Sequence, residues 1–177
     1  KLLKARAFGY NKGLGSRLRP GNYDVDTLGF NYRMNEVEAA VGLVQLSKLD
    51  KSQATRARNY KIITEYISNT SNIHIFPGQH KSSCSSFYCL NLVVDPINQR
   101  TRDFLQDFLT DKGIGTSIHY PSAVPLFEYY RHKYDYKIGD FPCAEYIGSN
   151  TLSIPLAPHV TEQDAHYIGS NIQLALA

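Results

Sequence analysis

Gly29-Phe-Asn-Tyr-Arg-Met-Asn-Glu-Val-Glu-Ala-Ala-Val-Gly-Leu-Val-Gln-Leu46 joins a polar bend, which delivers Asn31 and Arg33, to a nearly all-apolar helix. Asn35 has the side-chain oxygen of an N-cap, and Glu38 three positions on supplies the reciprocal carboxylate of a capping box. Val37, Ala40, Val41, Val44, Leu46 and Leu49 leave the following helix apolar almost all round. That pattern predicts burial on more than one side. Gly42 inside it costs about 1 kcal/mol relative to Ala, and close contact with another backbone is the simplest compensation.

Upstream, residues 9–32 hold five of the twelve glycines together with Pro20 and few aliphatics. A loop of that length inside a compact domain is usually functional or disordered. Its Arg, Tyr and Gly content predicts an ordered loop that closes over a ligand or a partner subunit. Charge is uneven along the chain. Residues 1–33 carry seven Lys/Arg and two Asp, a balance of +5, while residues 34–177 carry twelve Lys/Arg and fourteen Asp/Glu, a balance of −2. Such a segment suits nucleic acid or a phosphorylated small molecule. No RNA-binding signature accompanies it, so a small anion is the expected partner and nucleic acid is not. Arg6, Lys12, Arg17 and Arg19 are expected to be solvated or to face a partner subunit.

Downstream, Lys51–Ser68 has helical periodicity, with Ala57, Tyr60, Ile63 and Ile67 on one stripe. Ile73–Phe76, stopped by Pro77, and Phe87–Val94 are strand candidates, with a polar loop over 78–86 between them. Thr101 begins a helix that turns Phe104, Leu105, Phe108 and Leu109 inward, and Gly113 stops it in left-handed geometry. Ile114–Tyr120 is a further predicted strand. An aromatic excursion from Phe127 to Tyr136 follows, suited to packing or an interface. Asp140 is expected to cap a short helix, Thr151–Ile154 to be the last strand, and Thr161 with Asp164 to open a closing helix carrying Ala165, Ile168, Ile172 and Leu176. The fold class is α+β: a small, mostly antiparallel sheet covered by helices on one side.

Composition bounds the rest. The 177 residues are 42% hydrophobic and 20% charged, enough for a core. No apolar stretch approaches the ~20 residues of a membrane span. Cys84, Cys89 and Cys143 have no metal-ligand spacing and predict reduced thiols, small and half-buried, in a cytoplasmic protein. His74, His80, His132, His159 and His166 also lack ligand spacing, so no metal site is expected. The opening Lys1-Leu-Leu-Lys, without Met, has the character of mid-protein sequence and predicts a fragment.

Four segments in order carry a family resemblance. They are the Gly29–Leu46 run; Gly113-Ile-Gly-Thr-Ser-Ile-His-Tyr-Pro121; Gly139-Asp-Phe-Pro-Cys-Ala-Glu145; and Leu152-Ser-Ile-Pro-Leu156 with Pro158 and Thr161-Glu-Gln-Asp164. Together they resemble the C-terminal part of the DegT/DnrJ/StrS sugar aminotransferases over essentially the whole chain. The resemblance implies a fold type I enzyme. Its large N-terminal domain holds pyridoxal phosphate on a mostly parallel sheet, and its small C-terminal domain resembles the α+β unit predicted here. It implies a homodimer with composite active sites, moving an amino group from glutamate to the keto group of a nucleotide-linked sugar.

Carried over by position, Asn31 resembles the asparagine that reaches the cofactor phosphate of the neighbouring subunit. A neutral amide can donate to such an oxygen. Arg33 resembles a residue lining the same composite site and would face the anionic substrate. His119 and Tyr120 match a His-Tyr pair beside the substrate pocket, suited to sugar or diphosphate contact. The resemblance places the Schiff-base lysine and the other cofactor-holding motifs upstream of Lys1. Residues 1–33 then form the active-site and dimer loop, residues 34–177 the small domain with its linking helices, and the large cofactor domain is absent. No residue here is expected to be catalytic, and the chain alone is expected to be inactive. The alternatives are a non-catalytic dimerising module and a sugar dehydratase of the same family. A weaker one is a basic single-strand nucleic-acid binder.

Overall fold

The computed structural model describes residues 1–11, 15, 19, 21–76, 79–80 and 83–176. Lys12, Arg17, Pro20 and Pro77, to which roles are assigned above, lie outside the described residues. The chain forms two compact units, Lys1–Lys48 and Leu49–Ala177.

The first unit contains helix α1 (Leu2–Ala5), the polar loop, and helix α2 (Glu36–Leu46). The loop is laced to the start of the chain by backbone bonds: Phe8 N–H donates to Phe30 O, Phe30 N–H to Ala5 O, and Tyr32 N–H to Arg6 O. Two glycines allow this. A Cβ on Gly9, whose φ is +72°, would lie 1.8 Å from Thr27 O, and one on Gly29 would lie 2.1 Å from Gly9 N. No side chain fits at either position. Asn35 caps α2 as expected. Its side chain accepts from Glu38 N–H at 2.9 Å, and Glu38 accepts from Asn35 N–H at 3.3 Å. None of the residues of α2 is buried within the chain, so the described residues do not supply the cover its apolar pattern calls for. Nothing approaches a Cβ on Gly42 either. An all-round apolar helix cannot hide more than one face within so small a unit.

The second unit is built on a three-stranded antiparallel sheet in the order β1 (Ile73–Ile75), β4 (Leu90–Val94), β5 (Thr151–Ile154), with β4 central. A separate antiparallel pair of two-residue strands, β2 (Gln79–His80) and β3 (Ser83–Cys84), lies where a plain loop is expected. Alternation splits the sheet into two faces. Leu90, Leu92 and Val94 share one face with Leu152 and Ile154, their register partners or neighbours. All five are buried with Ile62, Ile63 and Ile67 of helix α3 (Leu49–Ile67), Leu105 and Leu109 of helix α4 (Arg102–Asp111), and Ile168 and Ile172 of helix α7 (Glu162–Leu176).

Helix ends follow local chemistry. Thr101 caps α4, and α4 closes with Gly113 N–H donating to Thr110 O and Ile114 N–H to Leu109 O, at Gly113 φ +73°. Thr161 and Asp164 form the reciprocal bonds at the start of α7. Asn59 is buried beside the predicted α3 stripe and is satisfied by donating to Val160 O at 2.9 Å.

Three details differ from the sequence reading. Ile114–Tyr120 is not a strand, because only Ser117 pairs, in a single bridge to Ser153. Asp140 does not cap helix α6 (Pro142–Asn150). It accepts from Lys137 N–H, while Glu145 reaches back to Gly139 and Phe141 N–H at 2.9 and 3.0 Å. Lastly, helices are not confined to one side. α3, α4 and α7 share the apolar core of one face, and α6 packs against β4 beside the polar reverse face. Helix α5 (Glu128–Tyr134) and a 3-10 turn at Val124–Leu126 complete the unit.

Candidate functional site

The reverse face of the sheet presents Asn91, Thr151 and Ser153, with Asn91 and Ser153 directly opposed across β4 and β5. These residues floor a cavity of about 430 Å³ walled by Ala144, Ile147 and Gly148 of α6 and by His119, Tyr120 and Ser122–Val124. Gly148 lets α6 approach closely there, since a Cβ would press on the Ser122 backbone at 3.1 Å. Phe76, Tyr88 and Cys89 line the remaining side.

A polar relay runs through this cavity. The Ser153 hydroxyl donates to Asn91 Oδ1 at 2.6 Å, and His119 Nδ1 lies 2.6 Å from the same hydroxyl oxygen. Serine has one proton to give. With that proton on Asn91, Nδ1 of His119 is the donor to Ser153, and neutral His119 keeps its lone pair on Nε2. The Cys89 thiol adds a weak contact to Asn91 Oδ1 at 3.6 Å. Ser153 is 4% exposed, so the relay is anchored in the sheet while His119 itself is open to solvent.

Asp95, just beyond β4, accepts from the Tyr146 hydroxyl of α6 and lies 2.7 Å from His74 Nε2. Chiefly the Tyr146 hydrogen bond, then that of His74, holds the Asp95 carboxyl below its ordinary range, and the same carboxylate pushes the Tyr146 phenol up. Tyr146 is thereby tied to the β4 end, which steadies the helix that walls the cavity. The hydrogen bonds of Thr161, side chain first, likewise hold Asp164 down.

The four sequence-predicted site residues divide between the units. Asn31 and Arg33 belong to the first unit. Asn31 is exposed, and its side chain has no hydrogen-bond partner among the described residues. Arg33 is exposed too, with its guanidinium carbon 5.2 Å from the Phe8 ring centre and 6.0 Å from that of Tyr10. His119 and Tyr120 belong to the second unit and line the same cavity. Sequence reasoning missed Ser153, Asn91 and Cys89. Cys143 is exposed, not half-buried as expected, because it falls on the outer side of the first turn of α6. Among the described residues no group of three His, Cys, Asp or Glu is placed to hold a metal ion, and no helix is long and apolar enough to cross a membrane.

Residues 4–173 match the DegT/DnrJ/EryC1/StrS aminotransferase family. The chain belongs to that family. The spore coat polysaccharide biosynthesis protein SpsC of Bacillus subtilis is 33% identical over 147 residues, which cover 80% of this chain and 36% of SpsC. Among solved structures, a DegT DnrJ EryC1 StrS aminotransferase from Brucella abortus superposes with a TM-score of 0.72 at 25% identity, over 99% of this chain and 43% of that one. The PLP form of Spr1654 from Streptococcus pneumoniae gives 0.74 at 21% identity, over 98% and 42%. The fold is that of the sugar aminotransferases of this family. The chain spans 36–38% of the length of the curated relatives it matches.

Pyridoxal phosphate needs donors for its phosphate and an amine for its aldehyde. Asn31 offers an uncommitted amide donor. Among the described residues no lysine lines the cavity at His119. These side chains fit one contact contributed to a cofactor site and not a whole site.

Proposed function

We propose that the chain is the C-terminal portion of a pyridoxal-phosphate-dependent aminotransferase acting on a nucleotide-linked keto sugar, with glutamate as amino donor. In this reading it works in the cytoplasm as a homodimer, and residues 1–33 lend contacts to the partner subunit's site. Asn31 donates to the cofactor phosphate. Arg33, once drawn off its own aromatic rings, offers a planar fork to the anionic substrate. His119 and Tyr120 contact the sugar or diphosphate from the small domain. The bound cofactor supplies the electron sink for the carbon whose nitrogen is exchanged.

The observation that carries this reading is the family match over residues 4–173 together with an exposed, unspent Asn31 amide. His119, held by Ser153, meets a ligand with a fixed tautomer and needs no rearrangement on binding. The test is a longer polypeptide that restores the upstream half found in the relatives. Asn31→Ala in that protein is expected to weaken cofactor binding by about tenfold, the value of one charge-assisted hydrogen bond. Unchanged cofactor affinity would remove Asn31 from the site. Arg33→Met is expected to raise KM for the nucleotide sugar with little change in kcat, and the converse pattern would move Arg33 to the reacting centre.

A further inference from the structure

Arg56 of α3 lines a second cleft, of about 280 Å³, with Tyr88, Gly115, Thr116 and Pro155. This cleft shares Tyr88, Cys89, His119 and Ser153 with the larger cavity. Three other arginines of the unit spend their guanidinium groups, while Arg131 is exposed to solvent. Arg58 bonds Asn59 Oδ1 and pairs with Glu162, Arg100 donates to Leu176 O, and Arg102 donates to Gly148 O. Among the described residues Arg56 has no such partner. Its Nε is buried without a hydrogen bond, and the guanidinium carbon lies 5.6 Å from the centre of the Tyr88 ring. A buried, unpaired donor on a permanent cation is costly and calls for an acceptor.

The rest of the cleft is rich in donors. Among the described residues the N–H groups of Gly115 and Thr116 and the Thr116 hydroxyl bond nothing, whereas Ser117 N–H is spent on Ser153 O. Among the described residues no Asp or Glu lines the cleft. The failure of Ile114–Tyr120 to form a strand is what leaves those amides open.

We propose that this cleft is an oxyanion-binding site. It takes the phosphoryl or carboxylate group of an organic ligand whose apolar part lies along Tyr88 into the adjoining cavity. Arg56 supplies charge, and Gly115 and Thr116 supply neutral donors. Arg56 has no part in the aminotransferase reading above, and the assignment stands on the second unit alone.

The experiment is an NMR titration of the 177-residue polypeptide with inorganic phosphate and, separately, with acetate, at ionic strength fixed by chloride. The arginine Nε–Hε and backbone amide signals are followed. Expected is one saturable transition shared by Arg56 Nε–Hε, Gly115 and Thr116, with the tighter arm naming the group. Arg56→Met should weaken it by about tenfold or more, and Arg56→Lys by less, since charge survives without the fork. Thr116→Val leaves the Arg56–Tyr88 contact intact and should weaken binding several-fold, so the test holds even where Arg56→Met unfolds. Non-saturating shifts in both arms would overturn the assignment, as would saturation unaltered by Thr116→Val and by whichever Arg56 variant stays folded.

Discussion

Ser153→Ala is the sharpest perturbation of the site. The hydroxyl is buried and holds both Asn91 Oδ1 and His119 Nδ1 at 2.6 Å, so one substitution severs two bonds. Each is worth about 0.5–1.5 kcal/mol net. Water reaching the exposed imidazole replaces part of one, and the Cys89 thiol at 3.6 Å is too weak a donor to replace the other. The expected loss is therefore about 1–2 kcal/mol, read as a lower denaturation midpoint at unchanged slope. The tautomer is the more specific readout. In the parent the serine proton is committed to Asn91, which keeps hydrogen on His119 Nδ1. In the variant that constraint disappears, and the ring returns toward the Nε2–H form that imidazole prefers in water. Long-range proton–nitrogen NMR of His119 distinguishes the two forms. A parent already in the Nε2–H form, or a variant with unchanged midpoint and unchanged ring nitrogens, would refute the relay.

Asp95→Asn is expected to lower stability near neutral pH. The folded carboxyl titrates below its ordinary value of 3.8, so the contribution is complete above that pH and fades as pH falls through the lowered folded value. Denaturation midpoints of parent and variant should converge in acid, and a gap that persists there would show that charge is not involved. Thr161→Ala removes the cap of α7 and should cost about 1 kcal/mol by thermal melting. Gly169→Ala sets a helix gain of about 1 kcal/mol against overpacking of about 1–3 kcal/mol, because the new Cβ would lie 2.5 Å from Tyr66 Cδ2. Net destabilisation is expected, relieved when Tyr66→Ala is added. A stabilised single variant would show that Tyr66 can swing aside.

What was legible in the sequence is mostly local chemistry. Asn35 with Glu38, Thr101, Gly113, and Thr161 with Asp164 each act within a few residues, and each stands as expected. Strand β5 is found at its expected bounds because Pro155 and the preceding helix leave it no freedom. The site itself was less legible. Asn91 and Ser153 meet only through the register of β4 on β5, a contact 62 residues apart in sequence. A signal existed: Asn91 is the polar residue of an otherwise aliphatic β4, and Thr151 and Ser153 alternate with Leu152 and Ile154 in β5, which marks a second face that is not core. His119 and Tyr120 are singled out by the family pattern and not by spacing, and they line the cavity. Asp140 does not cap α6 because its carboxylate turns back to Lys137 N–H, while Glu145 takes the amides of Gly139 and Phe141.

Helix α2 poses the remaining physical question. Its capping box and first-turn acids define where it starts. Its side chains do not explain why it should persist, since Val37 and Leu43 are 74% and 69% exposed. A helix of eleven residues is marginal in water by propensity alone, and Gly42 lowers that margin further. Apolar residues on every side give it no preferred inner face, so one neighbour would still leave much of it wet. The chain spans 36–38% of its curated relatives, and in the proposed enzyme both the segment those relatives carry upstream and a second subunit are available as cover. The polar bend immediately before this helix carries the uncommitted Asn31 amide. A helix clamped between two bodies would fix that bend at their junction, where a single amide donor could reach a phosphate held mainly by other residues.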